Sequence, residues 1–191
     1  NPKSNSYQKT GVDPTGDSVS GDIVGWDFVH NDNLPYDDVM HGTHCAGVIG
    51  AVGGAGLGIS GVSPRVSLMA VKFISSAGSG NTSDAIKAID YAISRGARIL
   101  SNSWGSKTDD MQNLALLDAI RRAEKKNVLF ITSAGNASSN NDQEPDYPAS
   151  FSEANILSVA ATDSRDNLAI FSNYGAKTVH IAAPGVGIYS T

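Results

Sequence analysis

The chain has one cysteine and four histidines among its 191 residues. One thiol cannot close an internal disulfide, so cysteine usage leaves the redox compartment open. Long apolar runs are also missing: no stretch approaches the ~20 residues that a membrane-spanning helix needs. Lys and Arg number 14 against 19 Asp and Glu, a formal net charge of −5. A nucleic-acid surface needs clustered cations to neutralise phosphates, and this balance argues against one. The one basic cluster, "RRAEKK" at 121–126, falls near an expected helix end, where cations suit the dipole. It reads as a solvated helix face. Residues 1–20 are polar and turn-rich, and they read neither as core nor as a secretory leader. No repeat, low-complexity tract or linker stands out. Glycine is plentiful, at 20 residues, and so are Ser and Asn, which points to tight turns and close backbone packing. At 40% apolar, the chain is long enough for one domain with a substantial core, 1–191.

The periodicities alternate along the chain. "DIVGWDF" (22–28) reads as a strand, followed by an Asp/Asn-rich loop up to Asp38. "GTHCAGVIGA" (42–51) reads as a helix of small residues, followed by a glycine-rich turn, and "VSLMAVKFI" (66–74) as an apolar strand. Ile86, Ile89 and Ile93 share one helical face, and Gly96 stops that helix. "RILSNSW" (98–104), "VLFITSAGN" (128–136), "NILSVAATD" and "TVHIAAPG" read as further strands. The helix "DDMQNLALLDAIRRAEKKN" has acids at its start and bases at its end. Strands alternating with amphipathic helices predict an α/β fold, a parallel sheet with helices on both faces. Active sites in such sheets lie at the carboxyl ends of the strands, where "SNSWG" and "SAGN" fall.

"HGTHCAG" (41–47) crowds two histidines and the cysteine together. Zinc is disfavoured: the helical zinc motif spaces its histidines at i and i+4 around a Glu, whereas His41 and His44 stand three apart around Gly and Thr. His30 and His180 add no ligand spacing. Cys45 follows His44 directly on the expected helix, so their side chains diverge, and the thiol reads as a small buried residue. His41, at the mouth of the helix, is the candidate for proton transfer.

Together "HGTHCAG", "SNSWGS", "SAGN" and "AAPG…IYST" resemble, in order and approximate spacing, the subtilisin-like serine proteases, over residues 22–191. "GWDFVHNDNLP…HGTHCAG" looks like the thermitase-type branch. The resemblance implies a subtilisin-like fold, incomplete here, and acyl transfer to a serine followed by hydrolysis. It implies that His41 is the general base and then the general acid, and that Asn136 donates to the oxyanion. Ser103, Trp104 and Gly105 would pair with substrate backbone and wall the primary pocket. His44 would be structural. It also implies protein or peptide substrates, a propeptide and secretion.

Two parts of that pattern are not found. The family's aspartate lies in a "D-[ST]-G" strand upstream of the histidine, and nothing of that form precedes His41; "TGVDPTGD", with Asp13, reads as a loop. The serine of "GTS-x-A" follows "APG…ST", where this chain reaches Thr191. Asp27, Ser103 and Ser133 occupy calcium-loop, pocket-wall and strand positions and make poor substitutes. The expectation is a central fragment of a longer protease, inactive by itself. The alternative is a non-catalytic, peptide-binding relative.

The crowded acids Asp27, Asp32, Asp37 and Asp38 suit Ca²⁺ as hard oxygen ligands, and the resemblance points to Asp27 and Asp32. A second loop of the family, matching 51–59, has Gly54 and Ala55 here where Asn is frequent, so weak or no calcium binding is expected there. Trp104 at the pocket rim and Ala137 after Asn136 leave no carboxylate in view. Apolar or aromatic residues are therefore expected before the scissile bond.

Overall fold

A computed structural model describes residues 22, 24–54, 56–107 and 110–191. Asp13 and the polar start of the chain lie outside the described residues, as does Ala55. The chain divides into two compact units. One runs to Ala88 and takes in Tyr189–Thr191; the other is Ile89–Ile188.

In the first unit β1 (Gly25–Asp27) pairs in parallel with β4 (Ala70–Lys72), Gly25 opposite Ala70 and Asp27 opposite Lys72. The nine-residue run from Val66 thus supplies only three strand residues, because β1 offers only three to pair with. The expected small-residue helix is α1 (His41–Gly50). Its smallness has a use at Gly47: a Cβ there would lie 2.3 Å from Ser190 Oγ and 2.4 Å from Thr191 Oγ1. The 189–191 segment packs against that bare backbone, and Ser190 Oγ donates to the His44 carbonyl at 2.7 Å. The glycine-rich stretch read as a turn is an antiparallel hairpin, β2 (Val52–Gly54) with β3 (Leu57–Ser60). The helix α2 (Thr82–Ser94) buries Ala85, Ala88, Ile89 and Ala92, and Gly96 follows it at φ +81°.

The second unit is built on a four-stranded sheet in the order β5 (Ile99–Asn102), β6 (Leu129–Ser133), β7 (Ile156–Thr162), β8 (Ile181–Pro184), every neighbour parallel. Pro184, which cannot donate to a ladder, sits on the edge strand, where that loss is tolerated. α3 (Asp110–Lys125) packs on β6, with Ala119, Ile120, Ala123 and Phe130 fully buried. The basic run is a solvated helix face as expected: Arg122 forks onto Asp90 with two 2.8 Å bonds, and Arg121 reaches Glu153 at 2.9 Å. The crossovers from β6 to β7 and from β7 to β8 contain no α-helix among the described residues. These loops carry the buried asparagines Asn141 and Asn173. No helix among the described residues is long and apolar enough to cross a membrane.

Candidate active site

His41 is the first residue of α1 and is solvent-exposed. Met40 before it has φ 70°, a left-handed turn, and offers the helix no side-chain cap. Asp37 provides one from outside. Its Oδ2 accepts from Thr43 N at 2.7 Å and Thr43 Oγ1 at 2.6 Å, and its Oδ1 from Val39 N at 3.0 Å. Burial alone would raise the Asp37 pKa, but these bonds outweigh it and hold the carboxyl below its ordinary value. A carboxylate on the open N–H groups of a helix start also answers the dipole. The turn that presents His41 is thereby pinned. Cys45 is in no disulfide among the described residues and is half-buried rather than enclosed.

The acidic loop is organised around a lysine. Asp27 is 1% exposed; its Oδ1 accepts from Val29 N (2.7 Å) and His30 N (3.0 Å). Its Oδ2 faces His30 Nδ1 at 2.9 Å and Lys72 Nζ at 3.2 Å. Lys72 also donates to Asp38 and to the Tyr36 carbonyl, at 2.8 Å for the latter. Desolvation works against both charges, yet their contacts prevail: Asp27 is held below its ordinary pKa and Lys72 above its own. A carboxylate offers about four lone-pair sites, and all four of Asp27's have donors. Asp32 Oδ1 accepts from Leu34 N at 2.9 Å. Among the described residues no group of three or more His, Cys, Asp or Glu side chains is arranged to hold a metal ion. Asp27 therefore does not fit a calcium ligand as placed, since an incoming cation would have to displace the Lys72 ammonium.

The resulting prediction concerns Asp27→Asn. It should cost about 2 kcal/mol of stability, equally with calcium and with chelator, at neutral pH. A depressed carboxylate pKa stabilises fully above the unfolded value of about 3.9 and is lost as pH falls through the lower folded value. The difference between wild type and variant should therefore vanish in acid. Melting curves check it; a loss confined to calcium-containing buffer would reinstate the metal.

In the second unit, Ser103-Trp104-Gly105 leaves the end of β5 and Ala134-Gly135-Asn136 the end of β6. The two strands are parallel, with Asn102 opposite Thr132. Both segments therefore emerge at the same end of the sheet, one strand spacing apart, about 4.8 Å. Buried Asn102 donates to the Ile131 carbonyl at 3.2 Å and accepts from Trp104 Nε1 at 3.1 Å, which orients the indole. Asn136 is exposed.

The turn that carries Asn136 is held by two buried asparagines that the sequence did not single out. Asn173 Oδ1 accepts from Ala137 N at 2.7 Å and Ser139 N at 3.2 Å, and its backbone N–H donates to the Gly135 carbonyl at 2.9 Å. Its amide passes a bond to Asn141 Oδ1 at 3.0 Å, and Asn141 donates in turn to the Ala134 carbonyl at 2.8 Å. The backbone on both sides of Asn136 is therefore tied to buried side chains. Gly135 has φ +111°, and a Cβ there would lie 2.4 Å from Asn173 Nδ2.

The sequence profile of the subtilase family, peptidase S8, matches residues 7–191. The chain belongs to the subtilase family. It is 40% identical over 183 residues to thermitase of Thermoactinomyces vulgaris, covering 95% of this chain and 62% of that protein. It is 40% identical to the thermophilic serine proteinase of Bacillus sp. (strain AK1), again over 95% of this chain but 43% of the relative. Among solved structures, a cold adapted subtilisin-like serine proteinase superposes with a TM-score of 0.75 at 31% identity, over 95% of this chain and 62% of that one. The chain thus spans less than two thirds of these relatives' lengths. The expected subtilisin-like α/β fold holds. Within this subtilase chain, His41 and Cys45 lie on α1 in the first unit. Ser103, Trp104, Gly105 and Asn136 lie at one end of the second unit's sheet.

Proposed function

We propose that these 191 residues are the central part of one subtilisin-like peptidase domain, and that the protein carrying them is a secreted serine endopeptidase. The nucleophilic serine would come from residues outside this chain. His41 takes the proton of the serine hydroxyl as it attacks the peptide carbonyl, and returns it to the leaving amine. The side-chain amide of Asn136 donates to the oxygen that becomes negative in the tetrahedral intermediate. Water then attacks the acyl-enzyme, again with His41 as base, and releases the carboxylic acid. A propeptide, and protein or peptide substrates, belong to the same proposal. The structural calcium ion implied by the resemblance is left to the Asp27→Asn test above. The observation that supports the reading most directly is the parallel register of β5 and β6, by which Ser103–Gly105 and the Asn136 turn leave the same end of the sheet.

Asn136→Ala tests it. In the full-length protein kcat should fall on the order of 10²–10³-fold with KM little changed, a size taken from the oxyanion amide of subtilisin, a member of the same family. Steady-state kinetics on a peptide amide check this, and an unchanged kcat would remove Asn136 from the mechanism.

The non-catalytic reading has one observation in its favour. Thr10-Gly11 matches only the last two residues of the family's "D-[ST]-G", and Lys9 stands where the aspartate would be. On that reading the full-length protein binds peptides and releases them uncut.

A further inference from the structure

A carboxylate that no local sequence pattern points to lies beside the Asn136 turn, between two glycines. Ser106 and Tyr147 form an antiparallel bridge, Ser106 N to Tyr147 O at 2.9 Å and Tyr147 N to Ser106 O at 3.0 Å. This bridge lays Asp146 alongside Gly105. A Cβ added to Gly105 would lie 2.6 Å from Asp146 Oδ1, and one added to Gly135 would lie 3.2 Å from Asp146 Oδ2. The carboxylate therefore sits between two backbones that carry no side chain, one in the substrate-wall segment and one in the oxyanion turn. The main chain holds it there: Asp146 N donates to Ser150 Oγ at 3.0 Å, and Ser150 N donates to the Asp146 carbonyl at 2.9 Å.

The carboxylate itself has no hydrogen-bond donor among the described residues. Lys107, whose charge acts on it, is bonded to Glu144 at 2.7 Å. Desolvation raises the Asp146 pKa, and the Lys107 charge offsets this only in part. Asp27, Asp37, Asp142 and Asp163 are all held low by donors of their own. Asp146 differs from them in being half-buried and uncompensated. An uncompensated, partly desolvated charge is unfavourable, and a cation brought by a ligand relieves it.

We propose that Asp146 is a specificity-determining residue of the primary substrate pocket and receives the cationic end of a Lys or Arg side chain preceding the scissile bond. The proposal rests on the endopeptidase reading for the identity of the pocket. It reverses the expectation of apolar specificity, which considered only residues adjacent in sequence to Trp104 and Asn136. The two glycines serve the recognition directly, because any side chain at either position would press on the carboxylate.

The test has two arms, both in the full-length protein. In the first, kcat/KM is measured on peptide amides that differ only in the residue before the cleaved bond. The wild type should favour Lys and Arg over Leu and Phe, and Asp146→Asn should lower that ratio on the order of 100-fold. Asp146→Lys should turn the preference away from cations altogether. In the second arm, p-aminobenzamidine, a fluorescent cationic amidine, is titrated into a His41→Ala background, where turnover cannot contribute. Its Kd should rise on the order of 100-fold in Asp146→Asn. Because the carboxylate accepts no bond from the fold, Asn should be tolerated; Asp146→Ser serves if it is not. Apolar preference unaffected by the substitution, or amidine binding indifferent to it, overturns the proposal. Asp146-dependent amidine binding without any hydrolysis would instead refute the endopeptidase reading while leaving Asp146 as a cation receptor.

Discussion

His41→Ala is expected to lower kcat of the full-length protein on the order of 10⁶-fold, the size found for the catalytic histidine in subtilisin. The loss is this large because base and nucleophile act as a unit, and a serine hydroxyl at its free pKa is a poor nucleophile. The same substitution should leave stability nearly untouched. His41 is exposed, and the turn on which it stands is held by Asp37 on Thr43 and Val39, not by the imidazole. A change in melting temperature of more than a few degrees would mean that the histidine is structural. Activity surviving within tenfold of wild type would mean that another group is the base. The decisive comparison is between kinetic and thermal readouts on the same preparation, since only a group acting on the reacting atoms separates them so widely.

Gly25→Ala is expected to destabilise the full-length protein by about 4 kcal/mol or more, the range reserved for substitutions that break a specific structural device. Gly25 has φ +141°, and a Cβ there would lie 1.7 Å from the Ala70 carbonyl oxygen. That oxygen is backbone and cannot swing aside, so β1 and β4 would have to part. Asp27, two residues on, would then lose its register with Lys72, and with it the ion pair around which the acidic loop is arranged. Gly78→Ala is the control. It also has positive φ, at +75°, but nothing lies within 4 Å of its added Cβ, so it should cost only about 1 kcal/mol. Chemical denaturation of both variants checks the pair. Equal losses would show that backbone conformation, not the close approach to Ala70, is what Gly25 supplies.

Where the candidate residues fall in the fold was largely legible because the signals are local. The end of a strand is marked where an apolar run meets Ser, Asn or Gly, and "ILSNSWG" and "LFITSAGN" both show that change. Once the strands are read as parallel, Ser103–Gly105 and Asn136 must leave the sheet at the same end. The position of His41 was legible because a helix of small residues begins with it. The misreadings were local in the same sense. Val52-Gly53-Gly54 has almost no β-forming residue, so it read as a turn although it pairs as a strand.

Composition, alternation of strand and helix, and the two motif-bearing strand ends were determined by the sequence alone, because side-chain periodicity and turn chemistry act over a few residues. The tertiary structure alone decided which charges meet. Lys72 reaches Asp38 from 34 positions away and Asp27 besides, two of the four acids crowded in that loop. Asn173 reaches back 36 positions to hold Ala137, and the Ser106–Tyr147 bridge carries Asp146 to Gly105. A buried charge or amide is specified by whatever the fold brings within hydrogen-bond distance, and no local pattern records that partner.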